Sequence, residues 1–366
     1  MAELLNLVVD LNDRPAPSLS ASFDVRESGD ADDRTLAWID DSFGGWWSSE
    51  AFVAGTVVAR RAGGPVGFAA FDPRGLRFRW LRGLAREPGV GIFGPIGVVP
   101  KARGNGLGHA LLHRALAELR PRGYARALIP AVGERLVPFY AAAGARVAER
   151  FDRATLLSQA PRTLVLASGS GSNFQAVAER AAAGSLPVRL LGVVTNRPNA
   201  GVVARARDAG FNPTVLPWNR AAETREAYDA RLLQTVEAFD PELVLLLGWM
   251  HVLDERFVTV FPNLVNVHPA FLPLDPRRDE VGLPDGTTIP AFRGAAAVRD
   301  ALAAGHGWIG ATVHVVTPQT DRGPVLARRP LKLQSGEDEA AVMRRLHPLE
   351  HELVAAAVLR WLYERE

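Results

Sequence analysis

Leu264-Val265-Asn266-Val267-His268-Pro269 is an apolar run that ends in an amide, an imidazole and a proline. The run has the composition of a buried strand, and Pro269 should end it because proline cannot donate to a β-ladder. Side chains alternate along a strand, so Asn266 and His268 should point the same way at its carboxyl end. Open α/β sheets place their ligands there. The alternative is a polar strand end without a ligand, in which His268 only forms a hydrogen bond with a neighbouring residue.

Strands and helices alternate around this run. Apolar strands are predicted at 163–167, 188–195 and 243–247, and helices are predicted at 201–209 and 224–239. Near-continuous apolar strands separated by helices are typical of a parallel, doubly wound α/β sheet. The pattern therefore predicts that the C-terminal half of the chain has this architecture.

The composition restricts the classes of function. The chain has 366 residues, of which 48% are hydrophobic and 22% charged, as in globular proteins of two or three domains. A net charge of +2 without a basic cluster predicts small-molecule substrates and no nucleic acid. The chain lacks cysteine, and its histidines lack ligand spacing, so no metal is expected. The absence of a signal-like N-terminus and of a long apolar run predicts a cytoplasmic protein without membrane contact. The oligomeric state is left open.

Breaker-rich stretches divide the chain into four segments. Residues 1–22, which end in Pro- and Ser-rich sequence, are expected to form an N-terminal arm with a short strand. A first domain is expected at 23–152, a linker at 153–162 and a second domain at 163–366.

A glycine-rich turn lies inside the first domain. Arg103-Gly104-Asn105-Gly106-Leu107-Gly108 follows a predicted strand containing Val98 and Val99 and precedes an amphipathic helix. Such a turn directs backbone N–H groups at an anion, and Arg103 can add positive charge. A plain strand-to-helix turn is the alternative interpretation.

Residues 24 to about 150 resemble the GNAT-type N-acetyltransferases. Arg103, Gly106 and Gly108 match the pyrophosphate loop of that family, and Phe139-Tyr140-Ala141-Ala142-Ala143-Gly144 is similar to its late helix and turn. The resemblance implies a mixed-sheet α/β domain and a proton-donor position at Tyr140, for which core packing is the alternative. It also implies that acetyl-CoA, or another acyl-CoA, is bound by Val98, Val99, Arg103, Gly104, Gly106, Gly108 and Tyr140.

A second glycine-rich loop opens the second domain. Ser168-Gly169-Ser170-Gly171-Ser172-Asn173 joins a predicted strand to a helix, so its amides and hydroxyls can bind a phosphate. The loop differs from the dinucleotide fingerprint and lacks the lysine of a nucleotide-triphosphate loop. A phosphate monoester is therefore the favoured ligand.

The second domain resembles the phosphoribosylglycinamide formyltransferases over about residues 163–362. The matching motifs are this loop, 224–229, Gly-Trp-Met-His-Val-Leu at 248–253, Asn-Val-His-Pro at 266–269 and Thr-Asp-Arg-Gly-Pro-Val at 320–325. The resemblance implies a Rossmann-like formyltransferase fold. It also implies transfer of the formyl group of 10-formyltetrahydrofolate to the amine of glycinamide ribonucleotide, in purine biosynthesis.

The resemblance gives three residues catalytic roles that their chemistry allows. Asn266 can donate its amide to the oxyanion of a tetrahedral intermediate. His268 can stabilise the same oxyanion as imidazolium and protonate the leaving nitrogen, and Asp321 is expected to raise the pKa of His268. An ordinary turn residue is the alternative for Asp321. The resemblance also implies substrate binding by Gly171, Ser172, Asn173, His347 and Glu350, and folate binding by Arg225, Met250, His251, Val252, Leu253, Asn266, Thr317 and Thr320.

Two departures from the family pattern affect the choice of acceptor. His251 stands where the family usually has an arginine, and residues 274–290 form an insert between Leu272-Pro273 and Ala291-Phe292-Arg293-Gly294. The composition of the insert predicts a mobile loop that acts as a lid or reshapes the pocket. An amino sugar or nucleotide sugar is therefore the alternative acceptor, with the first domain as a non-catalytic, acyl-CoA-binding regulatory module.

Overall fold

The computed structural model describes residues 3–12, 24–61 and 64–365. The chain divides into two compact units. The first consists of the described parts of Met1–Ser158, Leu283–Thr287 and Trp361–Glu366, and the second of Gln159–Gly282 and Thr288–Arg360. Each unit is built around its own seven-stranded sheet.

The sheet of the first unit is mixed. Its strands are β1 (Leu4–Asp10), β2 (Asp24–Asp30), β3 (Gly55–Arg61), β4 (Gly64–Phe71), β5 (Val90–Val98), β6 (Arg126–Gly133) and β7 (Arg146–Phe151), in the order β2-β3-β4-β5-β6-β1-β7. β5 pairs in parallel with β6 over Val90–Ile92, and the other neighbouring strands are antiparallel. Towards its end at Val98, β5 pairs with β4.

The α-helices that lie wholly in the described part of the first unit are α1 (Asp33–Phe43), α2 (Trp47–Phe52), α3 (Leu107–Leu119), α4 (Val137–Ala141) and α5 (Arg153–Leu156). Helix α3 is the amphipathic helix after the glycine-rich turn, and Leu111, Leu112 and Leu119 are fully buried in the core. Asp32 caps α1 by accepting a hydrogen bond from the backbone N–H of Thr35.

The short strand expected within the N-terminal segment is present as β1, and it forms part of the sheet of the first unit. Strand β1 lies between β6 and β7 and pairs with both, and the side chains of Leu5, Leu7 and Val9 are buried. An apolar strand is stabilised most where both of its edges are paired and its side chains leave water. The remainder of the predicted arm, 13–22, lies outside the described residues.

The second unit has a mainly parallel sheet. Its strands are β8 (Arg162–Leu166), β9 (Arg189–Thr195), β10 (Thr214–Val215), β11 (Leu243–Leu246), β12 (Leu264–His268), β15 (Trp308–Val315) and β16 (Val325–Lys332). They lie in the order β10-β9-β8-β11-β12-β15-β16. The first five in this order are parallel, but β15 runs antiparallel to both β12 and β16. The parallel pairing expected of a doubly wound sheet thus holds for five strands, whereas at the other edge a short connection joins β15 to β16 as an antiparallel pair.

The helices of the second unit flank this sheet: α6 (Ser172–Ala182), α7 (Gly201–Asp208), α8 (Arg225–Glu237), α9 (Glu255–Val260), α10 (Ala297–Ala304) and α11 (Glu339–Glu364), whose last residues belong to the first unit. Thr224 and Asp254 cap α8 and α9 through their side-chain oxygens. Leu164, Leu246 and Leu264, on three neighbouring strands, lie in one buried cluster.

The insert is not simply a loop. It contains β13 (Glu280–Gly282) and β14 (Thr288–Pro290), which pair antiparallel with Val281 opposite Ile289. Both side chains are 1% exposed, so the pair is held by burial as well as by its ladder. The Pro, Gly and Asp content of the insert predicted a mobile loop. Val281 and Ile289 are isolated in the sequence, so no apolar run indicated the two strands.

The unit boundaries differ in part from the predicted domains. The boundary between Ser158 and Gln159 falls inside the predicted linker, 153–162, part of which forms α5. Leu283–Thr287 and Trp361–Glu366 belong to the first unit, although the second domain was predicted to run from 163 to 366. In that unit the rings of Tyr363 and Trp80 pack with centroids 4.6 Å apart. Of the helices described, none is long and apolar enough to span a membrane.

Candidate active site

Four polar side chains meet at the carboxyl end of β12. Asn266 lies opposite His314 of β15, and the Nδ2 of Asn266 is 3.2 Å from the Nε2 of His314. That Nε2 is 3.4 Å from one carboxylate oxygen of Asp321, and the Nδ1 of His268 is 3.5 Å from the other. The carboxylate of Asp321 thus lies between two buried imidazoles.

Asp321 is held as an ionised group. The backbone N–H of Gly294 donates to its Oδ2 at 2.7 Å, and its backbone φ of 52° is an uncommon value for a residue other than glycine. Burial would raise the pKa of this carboxyl. The hydrogen bond from His314, the charge of His268 and the Gly294 amide outweigh burial and lower the pKa to about 2. Asp321 therefore supplies a fixed negative charge near neutral pH.

The two ring nitrogens of His268 have different partners. Nε2 is 2.7 Å from the carbonyl oxygen of Phe292, which can only accept, so Nε2 carries a proton. Nδ1, which faces Asp321, is left as the ring atom that gains and loses a proton. Burial is the largest influence on the pKa of His268 and lowers it, while Asp321 and the Phe292 carbonyl act in the opposite direction. Asp321 thus acts on the pKa of His268 in the expected direction, but burial has the larger effect, because the imidazole is only 4% exposed.

We expect His268 to titrate below the ordinary histidine value of 6.5, and Asp321→Asn to move its midpoint lower still. The substitution removes the negative charge that opposes burial, so the charged imidazole loses its main support. Imidazole NMR spectra against pH test this, with the signal assigned by its absence in His268→Ala. A midpoint above 6.5 in the unmodified protein, or an upward shift in Asp321→Asn, would contradict the assignment.

The start of α6 fits an anion. The N-cap Gly171 has φ of 82°, and a Cβ there would lie 2.6 Å from the Cα of Val202, so a side chain cannot be accommodated. No side chain in the described part of the chain caps this helix. The backbone N–H groups around Ser172 and Asn173 lie in the first turn of the helix. N–H groups at that position have no partner within the helix and can bind a phosphate.

Asn173 connects this helix start to α11. Its Nδ2 donates to the Oε2 of Glu350 at 2.8 Å, and both side chains are buried. Burial raises the pKa of Glu350, against the effect of the Asn173 hydrogen bond. The Oδ1 of Asn173 is buried and meets no hydrogen-bond partner among the described residues. His347, partly buried, lies three residues before Glu350 on α11. These groups can bind the hydroxyls of a substrate.

The segment after β11 presents apolar side chains to solvent. Met250 and Val252 are 46% and 64% exposed, whereas Leu253 is buried. His251 points inward, where its Nε2 is 3.0 Å from Asn196 and its ring contacts those of Trp218, Tyr228 and Trp249. Burial lowers the pKa of His251, as does the charge of Arg225.

Arg225 is engaged within the protein. Its Nε donates to both carboxylate oxygens of Asp229, at 2.8 and 2.7 Å, and an Nη donates to the carbonyl oxygen of Val252. It therefore braces the segment that carries Met250 and Val252. Thr317 and Thr320 lie in the connection between β15 and β16, which also carries Asp321.

The glycine-rich turn of the first unit has the backbone that an anion site needs. Gly104 and Gly106 have φ of 83° and 74°, and Gly106 precedes α3 with no side-chain cap from the described residues. The Nε of Arg103 donates to the carbonyl oxygen of Val98 at 2.9 Å, which closes the turn against the end of β5. Gly108 faces Phe139, to which a Cβ would come within 3.2 Å.

Tyr140 lies in the core of the first unit. It is 6% exposed, and its ring meets those of Phe93 and Phe139 edge to face. Burial raises the pKa of its phenol to about 12. This environment favours core packing, the alternative named above, over proton donation.

Sequence reasoning missed His314 and the backbone of Phe292 and Gly294. His314 was noted only as a histidine without metal-ligand spacing. It joins the site because β15 pairs antiparallel with β12, a register that no local pattern specifies. Among the described residues, no group of three or more His, Cys, Asp and Glu side chains is arranged to hold a metal ion.

A buried imidazole–carboxylate pair and a helix start that can accept an anion thus lie in one doubly wound sheet, an arrangement that suits an α/β enzyme of the group-transfer class. Residues 161–274 and 286–358 match the formyl transferase family, and residues 18–145 match the acetyltransferase (GNAT) family. The chain belongs to the formyl transferase family. The predicted fold class, with a GNAT-type domain before a formyltransferase domain, is thus confirmed. These families imply a folate co-substrate and an acyl-CoA.

Known relatives match the second unit. The phosphoribosylglycinamide formyltransferase of Mycobacterium tuberculosis (strain CDC 1551 / Oshkosh) is 34% identical over 201 residues, which are 54% of this chain and 83% of that protein. The enzyme of the same name from Escherichia coli (strain K12) is 31% identical over 199 residues, or 54% and 85% of the two chains. A solved structure, glycinamide ribonucleotide transformylase 1 from Symbiobacterium toebii, is 32% identical with a TM-score of 0.48 and covers 54% and 86%.

Proposed function

We propose that this protein transfers the formyl group of 10-formyltetrahydrofolate to the amine of glycinamide ribonucleotide, a step of purine biosynthesis. The observation that carries the proposal is the meeting of Asn266, His268 and Asp321 at one strand end. The relatives from Mycobacterium tuberculosis and Escherichia coli are both phosphoribosylglycinamide formyltransferases, which supports the choice of reaction and acceptor.

In the proposed mechanism the amine attacks the formyl carbon, and the new C–N bond leaves negative charge on the formyl oxygen. Asn266 donates its amide N–H to that oxygen. His268, neutral at rest, accepts at Nδ1 the proton that the amine loses, and returns it to N10 of the folate as the C–N10 bond breaks. Asp321 stabilises the imidazolium between these two transfers. The proton taken from the amine is the one given to N10, so the reaction needs no further acid or base.

The acceptor is proposed to lie between α6 and α11. Its phosphate would accept hydrogen bonds from the amides at Gly171 and Ser172, where the helix dipole favours an anion. Its ribose hydroxyls would bind Glu350 and the Oδ1 of Asn173, a buried acceptor to which no group in the described part of the chain donates. His347 is proposed to flank the same region.

The folate is proposed to bind along 250–253. The exposed side chains of Met250 and Val252 supply apolar surface for an aromatic ring. Arg225 and His251 stabilise this segment from behind through Val252 and Asn196. Leu253, Asn266, Thr317 and Thr320 are proposed to complete the folate site.

A comparison of acceptors tests the proposal. We expect glycinamide ribonucleotide to be formylated, and its analogue without the phosphate to have a kcat/KM lower by at least about a hundredfold, because two or more charge-assisted hydrogen bonds are lost. Amino sugars and nucleotide sugars serve as the comparison set. Faster formylation of one of these, or no preference for the phosphate, would contradict the proposed acceptor.

For the first unit we propose acetyl-CoA binding, with its pyrophosphate at the turn from Arg103 to Gly108. The positive φ of Gly104 and Gly106 supports this, as does the start of α3, which receives no side-chain cap from residues 3–12, 24–61 or 64–365. Val98 and Val99 would line the same site, whereas Tyr140, packed in the core, is left out of the proposed site. Calorimetric titration of the full chain with acetyl-CoA tests the proposal, and the absence of saturable binding would contradict it.

A further inference from the structure

Two arginines beside the proposed catalytic groups share one carboxylate of the insert. Arg293 Nη1 donates to the Oδ1 of Asp279 at 2.9 Å, and Arg322 Nη2 donates to the same oxygen. Arg293 lies between Phe292 and Gly294 in the sequence, and Arg322 directly follows Asp321. Asp279 therefore connects the two segments that surround the catalytic imidazole and carboxylate.

Backbone hydrogen bonds reinforce this connection. Arg293 Nη2 donates to the carbonyl of Arg278 at 2.7 Å, and Arg322 Nη1 donates to that of Pro276 at 2.9 Å. The backbone N–H of Ala291 donates to the carbonyl of Asp279 at 2.8 Å. Each arginine is thus held by a carboxylate and a carbonyl at once, which fixes the plane of its guanidinium.

Residues 292–294, which these arginine contacts hold in place, make two contacts with the reaction centre. The carbonyl of Phe292 accepts from His268 Nε2 at 2.7 Å, and the amide of Gly294 donates to Asp321 Oδ2 at 2.7 Å. Arg293 Nε also donates to the backbone carbonyl of Asp321 at 3.3 Å. A displacement of residues 292–294 would therefore change the orientation of His268 and Asp321 together.

Residues 275–285 lie outside the match to the formyl transferase family. We propose that Asp279 is a positioning residue for formyl transfer: by pairing with Arg293 and Arg322 it keeps Phe292 and Gly294 where they orient His268 and Asp321. The kinetic part of this inference rests on the proposed function, whereas its structural part does not. Without Asp279, the two guanidinium groups lose their shared counter-charge and repel each other.

The substitution Asp279→Asn tests the inference kinetically. We expect kcat to fall about tenfold, since small displacements of reacting groups are costly, with the KM of both substrates within about twofold of the original. Asp279→Glu should recover most of the loss. Asp275→Asn is the matched control, because the Asp275 side chain bonds to the neighbouring Arg277 and should leave kcat unchanged. Asp279 is 72% exposed, so the fold should tolerate the change.

Hydrogen exchange provides a readout that does not depend on the substrate. In Asp279→Asn, peptides covering 291–296 should exchange about tenfold faster than in the unmodified protein, because the Gly294 amide opens more often. Asp275→Asn should exchange as the unmodified protein does. Unchanged exchange and unchanged kcat in Asp279→Asn would overturn the inference and leave the proposed function intact. Faster exchange in a protein that formylates no glycinamide ribonucleotide would support the anchoring and refute the function.

Discussion

His268→Ala should lower kcat for formyl transfer to glycinamide ribonucleotide by at least about a thousandfold. The proposed mechanism routes the proton from amine to N10 through Nδ1 of His268. Among the described residues, no second imidazole occupies this place: His314 bonds to Asn266 and to the carbonyl of Val315. Steady-state rates with both substrates saturating measure the effect.

The control for this prediction must separate chemistry from folding. Removing the imidazole leaves a small cavity and an unpaired carbonyl at Phe292, so unfolding temperatures and binding of the acceptor should be measured on the same preparation. His109→Ala, in the first unit, is the matched histidine substitution and should leave formyl transfer unchanged. A folded His268→Ala protein with more than a tenth of the original kcat would refute the proton route.

Asp321→Asn should lower kcat by about a hundredfold or more. The substitution preserves the shape of the side chain and an oxygen that can accept from Gly294, but it removes the negative charge 3.5 Å from Nδ1 of His268. The imidazolium that forms between the two proton transfers then loses its counter-charge in a buried site. Saturating rates again give the loss, and Asp275→Asn controls for the removal of a carboxylate elsewhere.

The effects of His268→Ala and Asp321→Asn on kcat should not multiply. If Asp321 acts through His268, then His268→Ala combined with Asp321→Asn should be about as slow as His268→Ala alone. A double variant slower than either single variant by the full product of their effects would show that the two residues contribute independently. In that case Asp321 would have a role other than support of the imidazolium.

The local sequence pattern was sufficient to predict those parts of the structure that depend on neighbouring residues. The alternation of side chains and the position of Pro269 placed Asn266 and His268 at the end of a strand, and β12 ends at His268. The composition of Ser168 to Asn173 likewise predicted the turn into α6. These features depend on a few adjacent residues and need no knowledge of distant pairing.

The remainder depends on contacts between distant parts of the chain. The antiparallel pairing of β15 brings His314 and Asp321 to β12, and no periodicity in the sequence encodes that register. The effect of Asp321 on the pKa of His268 had the predicted direction, but the larger, opposite effect of burial could not be predicted, because the degree of burial is set by tertiary packing. The strand pairing of β1 and the β13–β14 pair of the insert were not predicted for the same reason, since the pairing partners of β1 are distant in sequence and the β13–β14 pair has only isolated apolar residues.

Formyl transfer to glycinamide ribonucleotide can be followed directly with an isotope label. The purified full chain would be incubated with glycinamide ribonucleotide and 10-formyltetrahydrofolate carrying carbon-13 in the formyl group, and the products identified by NMR and mass spectrometry. The proposed function predicts that the label appears as a formamide on the glycinamide nitrogen, in an amount equal to the tetrahydrofolate released. Label that remains on the folate, or that is released only as formate, would contradict it.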